Sequence, residues 1–164
     1  MPAEAQATLA SVVAYYDTHP INEDQIRATL AASGVDWDSL TEEVLQRHDQ
    51  DHFGGLEAND ILIDRAGIRP TDRVLDVCSG MGGPSRWIAH RLGCSVTGLD
   101  FTPSRVAGAT RLTERVGLSK QVRFVQGDAT AMPFEAARFD VAISQEAWCH
   151  IGAKDRVLAE CARV

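Results

Sequence analysis

No apolar run in this chain approaches the length of a membrane span, and Met1-Pro2-Ala3-Glu4 is not the basic, apolar start of a secretion signal. No membrane partner is therefore expected, and the cytosol is the expected location. The four cysteines, Cys78, Cys94, Cys149 and Cys161, form no Cys-x-x-Cys pair and have no histidine at ligand spacing. Neither a disulfide framework nor a metal site is expected; the thiols should be reduced and mostly buried. A basic stripe is also missing. Net charge is −7, and residues 1–70 hold thirteen acidic side chains against four basic ones, while residues 71–164 hold ten against twelve. That balance argues against nucleic acid. The acidic first part suits a cationic small molecule or a solvated surface. Repeats and low-complexity tracts are absent. What remains is an ordinary globular composition, 45% hydrophobic and 24% charged, in a chain long enough for one real core.

Residues 1–16 are alanine-rich and helix-prone, and His19-Pro20-Ile21 breaks that helix. Asn22-Glu23-Asp24-Gln25 reads as a capping box opening a second helix through Ile26 and Leu30 to a stop at Gly34. Thr41 starts a short helix carrying Val44 and Leu45. His48 to Gly55 is a polar loop before a helix at 56–66 that ends at Gly67. From Asp72 the pattern alternates. Strands are predicted at 73–77, 95–99, 122–126 and 139–144, with helices at 84–92, 103–116 and 155–164. Pro84 and Pro103 sit in first turns, and Gly93 and Gly117 sit just past helix ends. Such alternation means parallel strands joined by right-handed crossovers. The expected organisation is a helical segment over 1–54 and an α/β domain over 55–164.

Val74-Leu75-Asp76-Val77-Cys78-Ser79-Gly80-Met81-Gly82-Gly83 describes a strand, an acid and a glycine-rich turn that delivers the chain into a helix at Pro84. Free backbone N–H groups point at whatever lies in such a turn. A dinucleotide fingerprint would close on a glycine where Ser85 stands, and a pyrophosphate would be repelled by Asp76. A positively charged ligand would not. Asp100, at the end of Val96–Asp100, can accept from both hydroxyls of a ribose or cap the helix opened by Thr102-Pro103. Gly127-Asp128-Ala129 ends the third strand and reads either as a polar turn or as a reader of an adenine's amino edge. Three acids ending three successive strands favour a nucleoside-bearing cofactor. Ser85 and Asp128-Ala129 disfavour a nicotinamide-dependent oxidoreductase.

Over about residues 55–164 the chain resembles the class I methyltransferases that use S-adenosyl-L-methionine. The resemblance rests on Val74–Gly83, Val96–Asp100, Gly127–Ala129 and Phe139–Ile151. It implies a doubly wound, mostly parallel Rossmann-like sheet in which the glycine loop wraps the methionine end, Asp100 binds the ribose and Asp128-Ala129 meets the adenine. The implied cofactor residues are Asp76, Ser79, Gly80, Gly82, Asp100, Phe101, Asp128, Ala129 and Gln145, and the product is S-adenosyl-L-homocysteine. Cys78-Ser79 departs from the commoner Gly-Cys. Tyr15–Asn22, Asp51–Ala58 and Ser144–His150 resemble the small-molecule branch that includes sarcosine and dimethylglycine N-methyltransferases. That resemblance implies a segment folded over the cofactor and a small acceptor, an amine among them. His150 and His52 are the candidate bases where the acceptor must lose a proton. Tyr15 and Tyr16 would serve as a lid or as helix-end packing, Trp148 as acceptor wall or core, and His90 as surface. No metal is needed.

The family's sheet order is 3-2-1-4-5-7-6, so only 3-2-1-4 is expected here, in a chain truncated at its C-terminus. Val141–Ser144 would then be an open edge. The chain is then a fragment of a longer enzyme, or another chain, a second copy included, covers that edge. A methyltransferase is the leading expectation. The alternative is a non-catalytic or partner-dependent S-adenosylmethionine-binding subunit or fragment.

Overall fold

Residues facing opposite ways from one strand need two separate cores, and the apolar positions of the first strand supply both. In the computed structural model, which describes residues 3–164 and side chains from Ala10 onward, β1 (Arg73–Val77) buries Val74 in one cluster and Leu75 and Val77 in another. The order is β3-β2-β1-β4, with β2 (Ser95–Asp100), β3 (Val122–Gln126) and β4 (Val141–Ile143), all paired parallel. This is the expected Rossmann-like sheet. One face carries α4 (Gly55–Ala66), α5 (Gly83–Leu92) and the end of α6 (Pro103–Arg115), through Ile63, Trp87, Ile88 and Val116. The other face carries α7 (Lys154–Arg163) through Val157, together with the irregular stretch holding Met132, Phe134 and Phe139.

Before the sheet come α1 (Ala3–Asp17), α2 (Glu23–Ala32), a 3-10 turn at Trp37–Ser39 and α3 (Glu42–Leu45). The first two positions of the helix expected over 1–16, Met1 and Pro2, lie outside the described residues. Asn22 caps α2 as anticipated, its Oδ1 accepting from the Gln25 N–H at 3.0 Å. The core of this segment is shared with the α/β half. Ile26, Leu30, Leu40 and Leu45 pack with Met81 of the glycine loop and Leu112 of α6.

The charge imbalance has a structural use beyond the two expected for it. Acids of the first seventy residues pair with bases of the rest: Asp49 with Arg86, Glu43 with His90, Asp60 with Arg91, Asp51 with Arg105, Glu23 with Arg111 and Asp38 with Arg115. The surplus negative charge is thus directed inward as well as to solvent.

The strand expected at 139–144 shrinks to three residues. The Phe139 N–H donates to Val164 O and the Asp140 N–H to Arg73 O, while the Ser144 hydroxyl donates to Val77 O, so both ends leave the ladder. Among the described residues no strand pairs with the outer edge of β4. Leu158 of α7, 58% exposed, flanks that edge.

Candidate functional site

Parallel strands of this order place their C-terminal ends, and the turns that follow, around one crevice. Here the crevice is a cavity of about 480 Å³, within the range of pockets that enclose small ligands. Asp76, Ser79, Gly80, Asp100, Phe101, Asp128, Ala129, Gln145, His52 and His150 all lie on its wall. Gly82 does not. It precedes α5 with φ +78°, and a Cβ there would stand 2.3 Å from the Phe124 ring, so its lack of a side chain serves packing behind the loop.

Each strand-end acid is held by groups that leave it only partly satisfied. Asp100 accepts the Gly80 N–H on Oδ2 at 2.8 Å and the Thr102 N–H on Oδ1 at 2.9 Å. Burial pushes its carboxyl above the usual range, against those two bonds. Each oxygen keeps accepting capacity after its backbone bond, so the carboxylate can still take a further donor from the cavity. Asp128 takes both the Thr130 N–H and hydroxyl on Oδ1 at 2.8 Å, leaving Oδ2 without a hydrogen-bond partner among the described residues. Asp76 is almost wholly buried, and burial pushes it up to about 6, opposed by the Ser85 hydroxyl donating to Oδ2 at 2.6 Å. Ser85, wholly buried, is the residue a dinucleotide site would replace with glycine; here its hydroxyl fixes the acid before the loop. Ser79 Oγ is buried on the cavity wall without a protein partner, and the space a Gly80 Cβ would enter is open.

The departure at Cys78 carries a conformational cost. Cys78 has φ +64°, the left-handed region glycine favours, which costs another residue about 1 kcal/mol. Burial also pushes its thiol up to about 12, so it is a neutral, unreactive group. Cys78→Gly is expected to raise stability by up to about 1 kcal/mol, read from the urea midpoint, with cofactor affinity kept. A loss of stability would show that the thiol's packing with Val77 and Leu75 outweighs the backbone strain.

The two histidines differ. His52 Nδ1 faces Phe53 O at 3.0 Å and Nε2 faces Gln50 Oε1 at 3.1 Å, so both ring nitrogens are engaged in holding the loop before α4. The His150 side chain makes no hydrogen bond to another described residue; its ring lies 5.6 Å from that of Tyr16 and 6.2 Å from that of Tyr15. His90 is a partner of Glu43 at 3.0 Å. Trp148 packs against the α7 cluster and lines the groove beside β4 rather than the cavity, the two sharing Glu146 and Ala147.

Several wall residues escaped sequence reasoning. Asp49 and Asp51 come from the polar loop 48–55, whose composition signalled a loop but not a wall. Glu146, inside the Ser144–His150 stretch, has φ +51° and accepts the Phe53 N–H at 3.1 Å, joining that loop to the turn after β4. Arg105, 2% exposed, reaches the cavity from α6. No local pattern marked it.

A parallel sheet of order 3-2-1-4, with a glycine loop after its first strand and acids at three strand ends around one cavity, has the geometry of a Rossmann-like domain that binds a nucleoside-bearing ligand at its strand ends. A family model described as a methyltransferase domain matches residues 74–164, more than half of the chain, and the chain belongs to that family. Among curated proteins it is 41% identical over 103 residues to the sterol 24-C-methyltransferase of Eremothecium gossypii, covering 63% of this chain and 28% of that one. The sterol 24-C-methyltransferase of Saccharomyces cerevisiae gives 41% over 103 residues, with 63% and 27% covered. The chain thus spans little more than a quarter of the length of these relatives. They are named for carbon methylation of sterols, rather than for the sarcosine branch expected from Tyr15–Asn22, Asp51–Ala58 and Ser144–His150. Among solved structures, phosphoethanolamine N-methyltransferase 2 of Haemonchus contortus superposes with a TM-score of 0.70 at 23% identity, over 91% of this chain and 32% of that one. The [4+2]-cyclase SpnF superposes with a TM-score of 0.64 at 29% identity, over 66% and 40%.

Proposed function

We propose that this chain is the cofactor-binding and methyl-transferring domain of an S-adenosylmethionine-dependent methyltransferase acting on a small molecule. The observation that carries this reading is the convergence of Asp76, Asp100, Asp128 and the unpartnered Ser79 hydroxyl on one cavity. These residues fit the cofactor. Asp100 would hold the ribose hydroxyls, Asp128 and Ala129 the adenine edge, and the Ser79–Gly80 turn the methionine end, while the clustered carboxylates suit a cation. When bound, the sulfonium supplies an activated methyl group for in-line displacement. The chain's own part is to orient the acceptor and exclude water. Tyr16, His19 and His150 wall the cavity beside Asp51 and Glu146. Ring faces and carboxylates together favour a cationic or amine acceptor. His150, with its ring nitrogens unengaged, is the better base of the two histidines where a proton must leave.

Calorimetry with S-adenosylmethionine, S-adenosylhomocysteine and NAD tests the cofactor: the first two should bind and NAD should not. Transfer of label from methyl-labelled cofactor to a panel of amines, phenols, carboxylates and sterols then tests the acceptor. Label on sterols alone would discard the amine. Cofactor binding with no transfer to any acceptor would favour a binding subunit, a reading that the resemblance to a protein named as a cyclase keeps in play.

A further inference from the structure

We propose that Arg105 is a positioning residue that latches the N-terminal segment over the cavity. Arg105 lies in the first turn of α6, five residues beyond Asp100, and its side chain is almost wholly buried. From there the guanidinium touches three separate pieces of the wall. Nη1 donates to Ile21 O at 2.6 Å, in the turn before α2. The same atom lies 3.3 Å from Asp51 Oδ2, in the loop before α4. Its carbon lies 4.9 Å from the centre of the Tyr16 ring, at the end of α1. Tyr16 and Asp51 both line the cavity, and so does Arg105 itself.

The other ion pairs between α6 and this segment are of a different kind. Arg111 with Glu23 and Arg115 with Asp38 are solvated on at least one side, where water and salt weaken a charge pair. Arg105 is shielded, so its contacts keep their strength. Its charge also raises the cost of losing them, because Asp51 would keep a partly buried carboxylate with only His19, 3.7 Å away, beside it. A planar guanidinium can stack on a ring and donate at its edge at once; an ammonium cannot do both. One side chain therefore fixes α1, the turn and the loop relative to the helix that follows Asp100. The ribose-binding acid and the cover of the site are thereby set by the same turn of helix.

The inference builds on the cofactor site proposed above, and the test separates the two. Arg105→Met, Arg105→Lys and the exposed-site control Arg111→Met are compared by backbone hydrogen exchange of the ligand-free chain and by the dissociation rate of S-adenosylhomocysteine. Arg105→Met should exchange about tenfold faster over residues 12–21 and 46–54, with β1 and β2 unchanged, and should release S-adenosylhomocysteine about tenfold faster. Arg105→Lys should recover part of the protection, through Asp51 but not through Tyr16. Arg111→Met should match the parent chain in both. Unchanged exchange in Arg105→Met, or faster exchange spread evenly over the sheet, overturns the latch. Should Arg105→Met fail to fold, Tyr16→Leu takes its place: faster exchange over 12–21 supports the latch, and unchanged exchange overturns it. If the parent chain binds no S-adenosylhomocysteine, the cofactor reading fails while the exchange data still decide the latch.

Discussion

Asp100→Ala is expected to weaken binding of both S-adenosylmethionine and S-adenosylhomocysteine by about a hundredfold or more, measured by calorimetry. Two hydrogen bonds from ribose hydroxyls to a carboxylate are worth about 1.5–3 kcal/mol each, and every 1.4 kcal/mol is about tenfold in affinity. The loss has a second source. The Gly80 and Thr102 N–H groups, both now aimed at the Asp100 oxygens, would lose their acceptors, and the turn that shapes the methionine end would loosen. Asp100→Asn separates the two, since its amide oxygen can still take one backbone N–H but the charge is gone. An affinity within twofold of the parent in Asp100→Ala would mean that the cofactor lies elsewhere in the cavity.

Arg86→Met is expected to cost about 3–5 kcal/mol of stability, a large share of what a domain of this size possesses, read as a fall in the urea midpoint. Arg86 is wholly buried. It donates to Asp49 Oδ2 and Met81 O, both at 2.7 Å, and to Ala109 O and the Thr113 hydroxyl, while its Nε lies 3.7 Å from Glu42 Oε2. Methionine fills much of the same space but leaves Asp49 as a buried, unpaired charge. Glu42 adds a pH signature. Burial pushes its carboxyl up to about 8, with Arg86 only partly opposing the rise. The folded chain therefore holds a proton that the unfolded chain releases between its ordinary 4.5 and about 8. Stability falls as pH rises through that window. Glu42→Gln, neutral at every pH, is expected to match the parent near pH 5 and to exceed it by a few kcal/mol near pH 9. Urea titrations at the two pH values check this; parallel pH profiles for the two proteins would refute it.

The α/β half was legible because its signals are local. Apolar runs of five residues, prolines in first turns and glycines at helix ends each act within a few positions, and they located β1, β2, β3, α5 and α6 to within a residue. The strand-end acids were legible for the same reason: a parallel strand of known direction has only one end that faces the crevice. β4 was read too long because Phe139 and Ser144 are apolar or small but bond to Val164 and Val77, partners that no short window contains. Asp51, Arg105 and Glu146 reach the wall through contacts spanning 54 to 93 positions, so composition near each of them showed only a loop, a helix and a turn. His52 stood as a candidate base, and its engagement with Gln50 and Phe53 depends on a loop conformation that spacing does not show.

The sharing of Met81 and Leu112 between the first helices and the α/β half bears on how such a chain could be re-purposed. Exchanging the leading segment for that of another methyltransferase, to import a new acceptor preference, would set foreign side chains against a methionine rooted in the glycine loop and a leucine of α6. A workable chimera would have to bring those two positions, together with Arg86 and Arg105, across with the graft.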